Sequence, residues 1–151
     1  MKVLVFHIGP DRYALPLAAI SRVLPVVALK QVPLSPAFVA GLMDLHGEPV
    51  PVIDLSLLAG FMPREVRFDT RIILVDYPLP DGTNASLGLQ AEHVAGVETL
   101  DPDALRAPGV RSAPFLGDVA GGGAGMLQVV ELDALLPAAV RELLFQPKAA
   151  A

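Results

Sequence analysis

The sequence of 151 residues contains no cysteine and no tryptophan, and its formal net charge is −5. The lack of cysteine excludes disulfide bonds, thiolate metal sites and cysteine nucleophiles, and it fits a reducing compartment. A nucleic-acid-binding protein normally carries a basic face and aromatic side chains on which bases stack. The acidic balance, with only six Phe and two Tyr, therefore argues against nucleic acid as a partner.

Long hydrophobic runs are also missing, although 53% of the residues are hydrophobic and only 18% are charged. The uncharged run from Gln31 to Met43 is interrupted by Pro33 and Pro36, and a spanning helix needs roughly 18–20 apolar residues. The first eight residues are too few for a signal peptide. We therefore expect a soluble cytoplasmic protein with no direct membrane insertion, whose apolar excess leaves some surface for a partner.

Proline and glycine, with 15 and 13 residues, interrupt the short runs of Val, Ile and Leu before a long helix could form. This pattern predicts an all-β fold with many turns. Strands are predicted at residues 3–8, 12–17, 22–27, 41–45, 50–53, 71–77, 85–90, 94–100, 115–120 and 126–130. Asp54 is predicted to cap a short helix over residues 55–58, and residues 132–145 are predicted to form a C-terminal helix.

Two segments of the chain resemble each other, Val52 to Leu58 and Val129 to Leu136. Each passes from a strand, through an acidic residue, into a leucine-rich turn. This repeat predicts two similar small barrels.

The residues that usually carry catalysis are not arranged for it. His7, His46 and His93 lie far apart in the sequence and lack the His-Glu-x-x-His spacing, so nothing supports zinc binding through all three. The glycine-rich run at residues 121–125 is not followed by the Lys-Ser/Thr pair of a phosphate loop and is interpreted as a hairpin tip. We predict no catalytic residue, metal or cofactor; the alternative from another class is a small β-barrel enzyme or ligand sensor.

Residues Gly41 to Leu55 resemble the signature of CheW-like domains. That signature runs roughly Gly-apolar-apolar-Asn-Leu-Arg-Gly-x-apolar-apolar-Pro-apolar-apolar-Asp-Leu. Other segments match the family in the expected order, so the resemblance covers essentially the whole chain. These segments are Tyr13 to Leu17, Ile20 to Val23, Pro33 to Gly41, Thr70 to Val75 and Leu87 to Val97.

The resemblance implies one CheW-like domain over residues 1–146, made of two five-stranded β-barrel subdomains packed together with a C-terminal helix, and a disordered tail over residues 147–151. It implies a non-enzymatic adaptor that joins the cytoplasmic tip of a methyl-accepting chemoreceptor to the regulatory domain of a CheA-like histidine kinase. The receptor tip would lie in an apolar groove between the barrels, and barrel edges would pair with the kinase. The same fold cut from a larger kinase or a CheV-like adaptor is an alternative.

The residues that this resemblance assigns to receptor or kinase binding are Ile20, Arg22, Val23, Asp44, His46, Val94 and Val97. At two of these positions, the charge of the residue differs from that of the residue usual in the family. Arg22 stands where the family usually has an acidic residue, and His46 stands where it usually has arginine. A histidine is mostly neutral at about pH 7, so the usual charge pair cannot form. Arg22 with Asp44 is the candidate replacement, and we predict a divergent member of the family.

Overall fold

The computed structural model describes residues 1–62, 69–121 and 125–146. Within these ranges the chain forms nine strands and two short α-helices. The strands are β1 (Lys2–Ile8), β2 (Asp11–Pro16), β3 (Ile20–Pro25), β4 (Val39–Leu45), β5 (Glu48–Asp54), β6 (Arg71–Pro78), β7 (Asn84–Thr99), β8 (Leu116–Ala120) and β9 (Leu127–Val130). The helices are α1 (Leu55–Leu58) and α2 (Ala138–Leu144). Neither of these helices is long and apolar enough to cross a membrane.

The long strand β7 belongs to two groups of strands. Its first half pairs with β6 and β5, and these pair in turn with β3 and β4, which gives the order β3-β6-β7-β5-β4 that we call group I. Its second half pairs with β1, and the order continues through β2, β9 and β8 as group II. The predicted all-β fold with two five-stranded β subdomains is confirmed. The predicted barrels are not closed among the described strands, because the hydrogen-bonded strand order runs from one group to the other through β7 and stays open.

The sequence predicted separate strands at 85–90 and 94–100, whereas the structure has the single strand β7 of 16 residues. An irregularity lies where the break was predicted, because the pairing with β1 shifts between Val5 and His7. The two halves of β7 have different neighbours, and whether a strand continues depends on such neighbours more than on its own sequence.

The two groups have the same topology. Each contains an antiparallel hairpin, β6–β7 or β1–β2, whose second strand pairs in parallel with β5 or β9. Asp54, at the end of β5, donates its backbone N–H to Phe38 O at 2.8 Å. Glu131, just after β9, donates its own to Phe115 O, also at 2.8 Å. The predicted repeat around these two acidic residues is therefore confirmed.

The core has three parts because both faces of β1 and β6 are buried. Alternate side chains of each strand point to opposite faces, so one set enters a central cluster and the other a smaller cluster within its own group. The central cluster draws on both groups and includes Leu4, Phe6, Ile53, Ile73, Tyr77, Leu87, Phe115 and Leu135. The cluster within group I contains Met43, Val50, Val52, Ile72 and Leu74, and that within group II contains Val3, Val5, Ala14 and Leu127.

The predicted C-terminal helix is present but begins later than expected. Residues Leu132–Ala134 form a 3-10 turn, and α2 starts only after Pro137. Proline lacks the N–H that a helix interior needs, so the helical pattern is interrupted there. Residues 122–124 of the glycine-rich run and the predicted tail at 147–151 lie outside the described residues. On either side of that run, β8 and β9 pair antiparallel.

Asp54 caps α1, as the sequence predicted. Its Oδ1 accepts a hydrogen bond from the N–H of Leu57 at 3.2 Å. Burial raises the pKa of this carboxyl because the ionised form loses hydration, and the charge of Glu92 adds to the effect. Hydrogen bonds from the backbone of Leu57 and Ser56 oppose the shift without cancelling it.

We expect Asp54→Asn to be at least as stable as the wild type at neutral pH. Because its pKa is raised in the folded state, Asp54 stabilises the fold of the wild type at a pH below its unfolded pKa of about 4. This contribution to stability is lost as the pH rises through the folded pKa. Asparagine keeps the capping oxygen and has no charge to bury. Urea unfolding of both proteins across this pH range should therefore show that the free energy of unfolding of Asp54→Asn, compared with that of the wild type, rises with pH. Asp54→Ala, which removes the cap, should lose about 1 kcal/mol, and an equal loss in Asp54→Asn would contradict this account.

Candidate protein-interaction surface

β3 is an edge strand of group I and carries three of the predicted contact residues. Among the described strands it pairs with β6 alone. Ile20 is partly buried against the central cluster, whereas Arg22 is exposed. Val23 has 42% of its surface exposed. Of these three residues, one aliphatic side chain is therefore anchored in the central cluster, whereas a cation and a second aliphatic side chain are presented to solvent.

The second half of β7 has the equivalent place at the edge of group II. Val94 is partly buried against the central cluster, as Ile20 is. Val97 follows Val94 at the same spacing at which Val23 follows Ile20. It is 54% exposed and lies opposite Leu4 of β1. Each group thus contributes an edge strand with one aliphatic side chain anchored in the central cluster and one that is exposed.

Asp44 and His46 lie at the hairpin that joins β4 to β5. The Asp44 Oδ1 accepts a hydrogen bond from the N–H of Gly47 at 2.7 Å. His46 and Gly47 have φ angles of 51° and 87°, the pattern of a type I′ turn. An open pocket of about 320 Å³ adjoins this hairpin. Its lining consists of Lys30, Leu42, Met43, Asp44, Gly47 and Pro49.

The suggested replacement pair of Arg22 with Asp44 is not formed. Arg22 lies on β3 and Asp44 on β4, at opposite ends of the group I order. The ion pairs of the described residues join other side chains, and none joins these two. Asp44 instead stabilises its own turn, a local interaction that competes with a long-range ion pair.

Two exposed aliphatic loop residues were missed by the sequence interpretation. Leu34 is fully exposed and has a φ of 61°, and Val110 is largely exposed. Their loops are equivalent, because each precedes the strand that pairs antiparallel with β5 or β9. Single exposed aliphatic side chains are normal on protein surfaces, so exposure alone assigns neither residue to a contact. For Leu34, the signal in the sequence was its position between Pro33 and Pro36.

Two histidines that are far apart in the sequence are neighbours in the fold. The rings of His7 and His93 meet edge to face with centroids 5.1 Å apart. The Nδ1 of His93 lies 2.6 Å from the Oδ2 of Asp69. His46 lies in the turn between β4 and β5, in group I. In the part of the chain that the structure describes, no group of three or more His, Cys, Asp or Glu side chains is placed to hold a metal ion.

Comparison with known proteins gives consistent matches. A family model described as the CheW-like domain matches residues 2–140. The chemotaxis protein CheW of Rhizobium meliloti (strain 1021) is 24% identical over 145 residues, which are 93% of this chain and 90% of that protein. The chemotaxis protein CheW of Helicobacter pylori is 33% identical over 70 residues, 46% of this chain, and the match spans only 42% of that relative's length. The crystal structure of the scaffolding protein TtCheW from Thermoanaerobacter tengcongensis has a TM-score of 0.80 and 27% identity, covering 91% of this chain and 88% of that one.

Proposed function

The chain belongs to the CheW-like domain family, and from that membership we propose that it is a non-enzymatic scaffold that couples chemoreceptors to a histidine kinase in chemotaxis or a related pathway. The observation that carries the proposal is the family match over residues 2–140 together with the fold shared with a scaffolding protein. An adaptor works through contacts alone, so it needs exposed apolar edges and no convergent catalytic groups.

The proposed partners are the cytoplasmic tip of a methyl-accepting receptor and the regulatory domain of a CheA-like kinase, which would place the chain in the cytoplasm. We assign the receptor contact to the two edge strands, where Val23 and Val97 have apolar surface to bury. Arg22 is a charge at the rim, and such charges set register and partner choice more than affinity. The proposed surface comprises Ile20, Arg22, Val23, Asp44, His46, Val94 and Val97.

We include both groups in one functional domain over residues 1–146. The central cluster supports this choice because its side chains come from group I and group II alike. Separating the groups would expose that apolar surface to water. The receptor contact proposed above also needs an edge strand from each group.

The experiment that tests the function is a pull-down from native lysate, with the purified protein as bait and mass spectrometry as the readout. We expect chemoreceptors and a CheA-like histidine kinase to be recovered together. The matched control is the Val97→Asp variant, which should recover fewer receptors. Recovery of neither partner by a well-folded bait would contradict the proposed function and leave the family membership unaffected.

We expect Val97→Asp to weaken binding of a receptor-tip fragment by about 1–3 kcal/mol, the cost of placing a charge in an apolar contact. The fold should survive because more than half of the Val97 side chain is already in water. Isothermal titration calorimetry measures the affinity, and thermal melting monitors the fold. Thr99→Asp, exposed on the same strand outside the proposed surface, is the control for added charge. Loss of cooperative melting in Val97→Asp alone would assign Val97 to the core instead.

A further inference from the structure

β7 passes from group I to group II through a pronounced bulge. Between the paired residues Val5–Gly96 and His7–Glu92, the single residue Phe6 of β1 faces three residues of β7. Within the bulge, His93 has a φ of 48°, in the left-handed region that is uncommon for residues other than glycine, although histidine adopts it more often than most. Such a residue persists only where its surroundings hold it in place.

Asp69 holds this bulge at two points. Its backbone oxygen accepts a hydrogen bond from the N–H of Val94 at 3.2 Å. Its carboxylate Oδ2 lies 2.6 Å from the Nδ1 of His93. The ring of His7, from β1, contacts the His93 ring edge to face, with the two centroids 5.1 Å apart. The His93 side chain is thus contacted both by the segment that leads into β6 of group I and by β1 of group II.

We propose that His93 and Asp69 are positioning residues that fix the angle between group I and group II at the bend of β7. The central cluster that also joins the groups is held by apolar packing, which is not directional. The contact between the His93 ring and the Asp69 carboxylate has the directionality of a hydrogen bond. The bend can therefore select one arrangement among those that the packing allows.

The consequence for binding rests on the proposed function. Val94 and Val97 follow the bend directly and belong to the edge of group II, whereas Ile20 and Val23 lie on the edge of group I. A change of angle at His93 alters the spacing between the two edges. The His93–Asp69 pair thereby sets whether both edges meet one receptor tip.

The test measures the arrangement of the groups directly. The chain has no cysteine, so Asp76→Cys on β6 of group I and Thr99→Cys at the end of β7 in group II give two exposed and unique sites for spin labels. Double electron–electron resonance then reports the distance distribution between group I and group II in the full chain. We expect a narrow distribution in the doubly labelled parent and a broader or shifted one in Asp69→Ala. Asp69→Asn, whose amide oxygen can still accept from the histidine ring, should resemble the parent.

Variants at His93 separate the side chain from the backbone. Glycine and asparagine both tolerate a positive φ, so His93→Gly and His93→Asn retain the bend. Glycine removes the contact with Asp69, whereas the Nδ2 of asparagine takes the place of the histidine Nδ1 and can still donate to the Asp69 carboxylate. His93→Gly should therefore broaden the distribution while thermal melting remains cooperative, and His93→Asn should resemble the parent. Distributions identical to the parent in both Asp69→Ala and His93→Gly would overturn the inference. If the variants change the distance distribution but the parent itself binds no receptor fragment, the positioning role is supported and the proposed function is contradicted.

Discussion

Replacing Tyr77 with alanine will lower the free energy of unfolding by about 3–5 kcal/mol, the range for removing a large aromatic side chain from a core. Tyr77 is completely buried on β6. Its hydroxyl donates to the backbone oxygen of Asp133 and accepts from the N–H of Leu136, both at 3.3 Å, and its ring stacks on Phe145 with centroids 5.8 Å apart. Alanine would leave a cavity and remove the side chain that joins β6 to the segment before α2.

Urea unfolding measures this loss, and Tyr77→Phe is the matched control. Phenylalanine retains the ring and its packing but loses both hydrogen bonds, so we expect a cost of about 1–2 kcal/mol. An alanine variant no less stable than the phenylalanine variant would show that ring packing contributes little. The difference between the two variants therefore separates packing from hydrogen bonding at the C-terminal segment.

Replacing Gly41 with alanine will destabilise the protein by about 2–4 kcal/mol, since a strained backbone costs about 1–3 kcal/mol and each lost hydrogen bond about 1 kcal/mol. Gly41 has a φ of 148°, and a Cβ there would lie 2.6 Å from the backbone oxygen of Lys30 and 2.9 Å from the Cβ of Leu29. Lys30 exchanges two backbone hydrogen bonds with Leu42, at 2.9 and 2.7 Å. The added methyl group would push Lys30 away from β4 and break this bridge.

Gly47→Ala is the control for Gly41→Ala, and thermal or urea unfolding compares them. Gly47 also has a positive φ, of 87°, but a Cβ there meets no atom within 4 Å. Its replacement should cost only the left-handed strain, about 1–2 kcal/mol. Equal costs at the two positions would mean that the approach of Lys30 is not what requires glycine at Gly41.

The candidate surface could be predicted only in part. The family resemblance identified seven positions, but alternation could not show which of Ile20, Val23, Val94 and Val97 are exposed, because register shifts beside Ile20 and around Val94 interrupt the alternation of faces. Their exposure was decided by the shared central cluster, which takes in Ile20 and Val94 and leaves Val23 and Val97 in solvent. Receptor binding by these residues stays a prediction.

The sequence by itself determined the features that depend on near neighbours along the chain. Proline and glycine set the ends of most strands, and the residue pairs His46-Gly47 and Asp81-Gly82 lie in turns, as predicted. Asp54 caps α1 through a bond to a residue three positions away. Even the repeat of the two groups could be detected, because each copy has the same local order of strand, acidic residue and leucine-rich turn.

Only the tertiary structure decided which distant residues meet. It joined two predicted strands into β7, placed His93 between Asp69 and His7, and kept Arg22 and Asp44 from forming an ion pair. Each outcome depends on the register between strands that are remote in sequence. Strand preference is set by cross-strand and same-face neighbours, and these exist only once the sheet has formed.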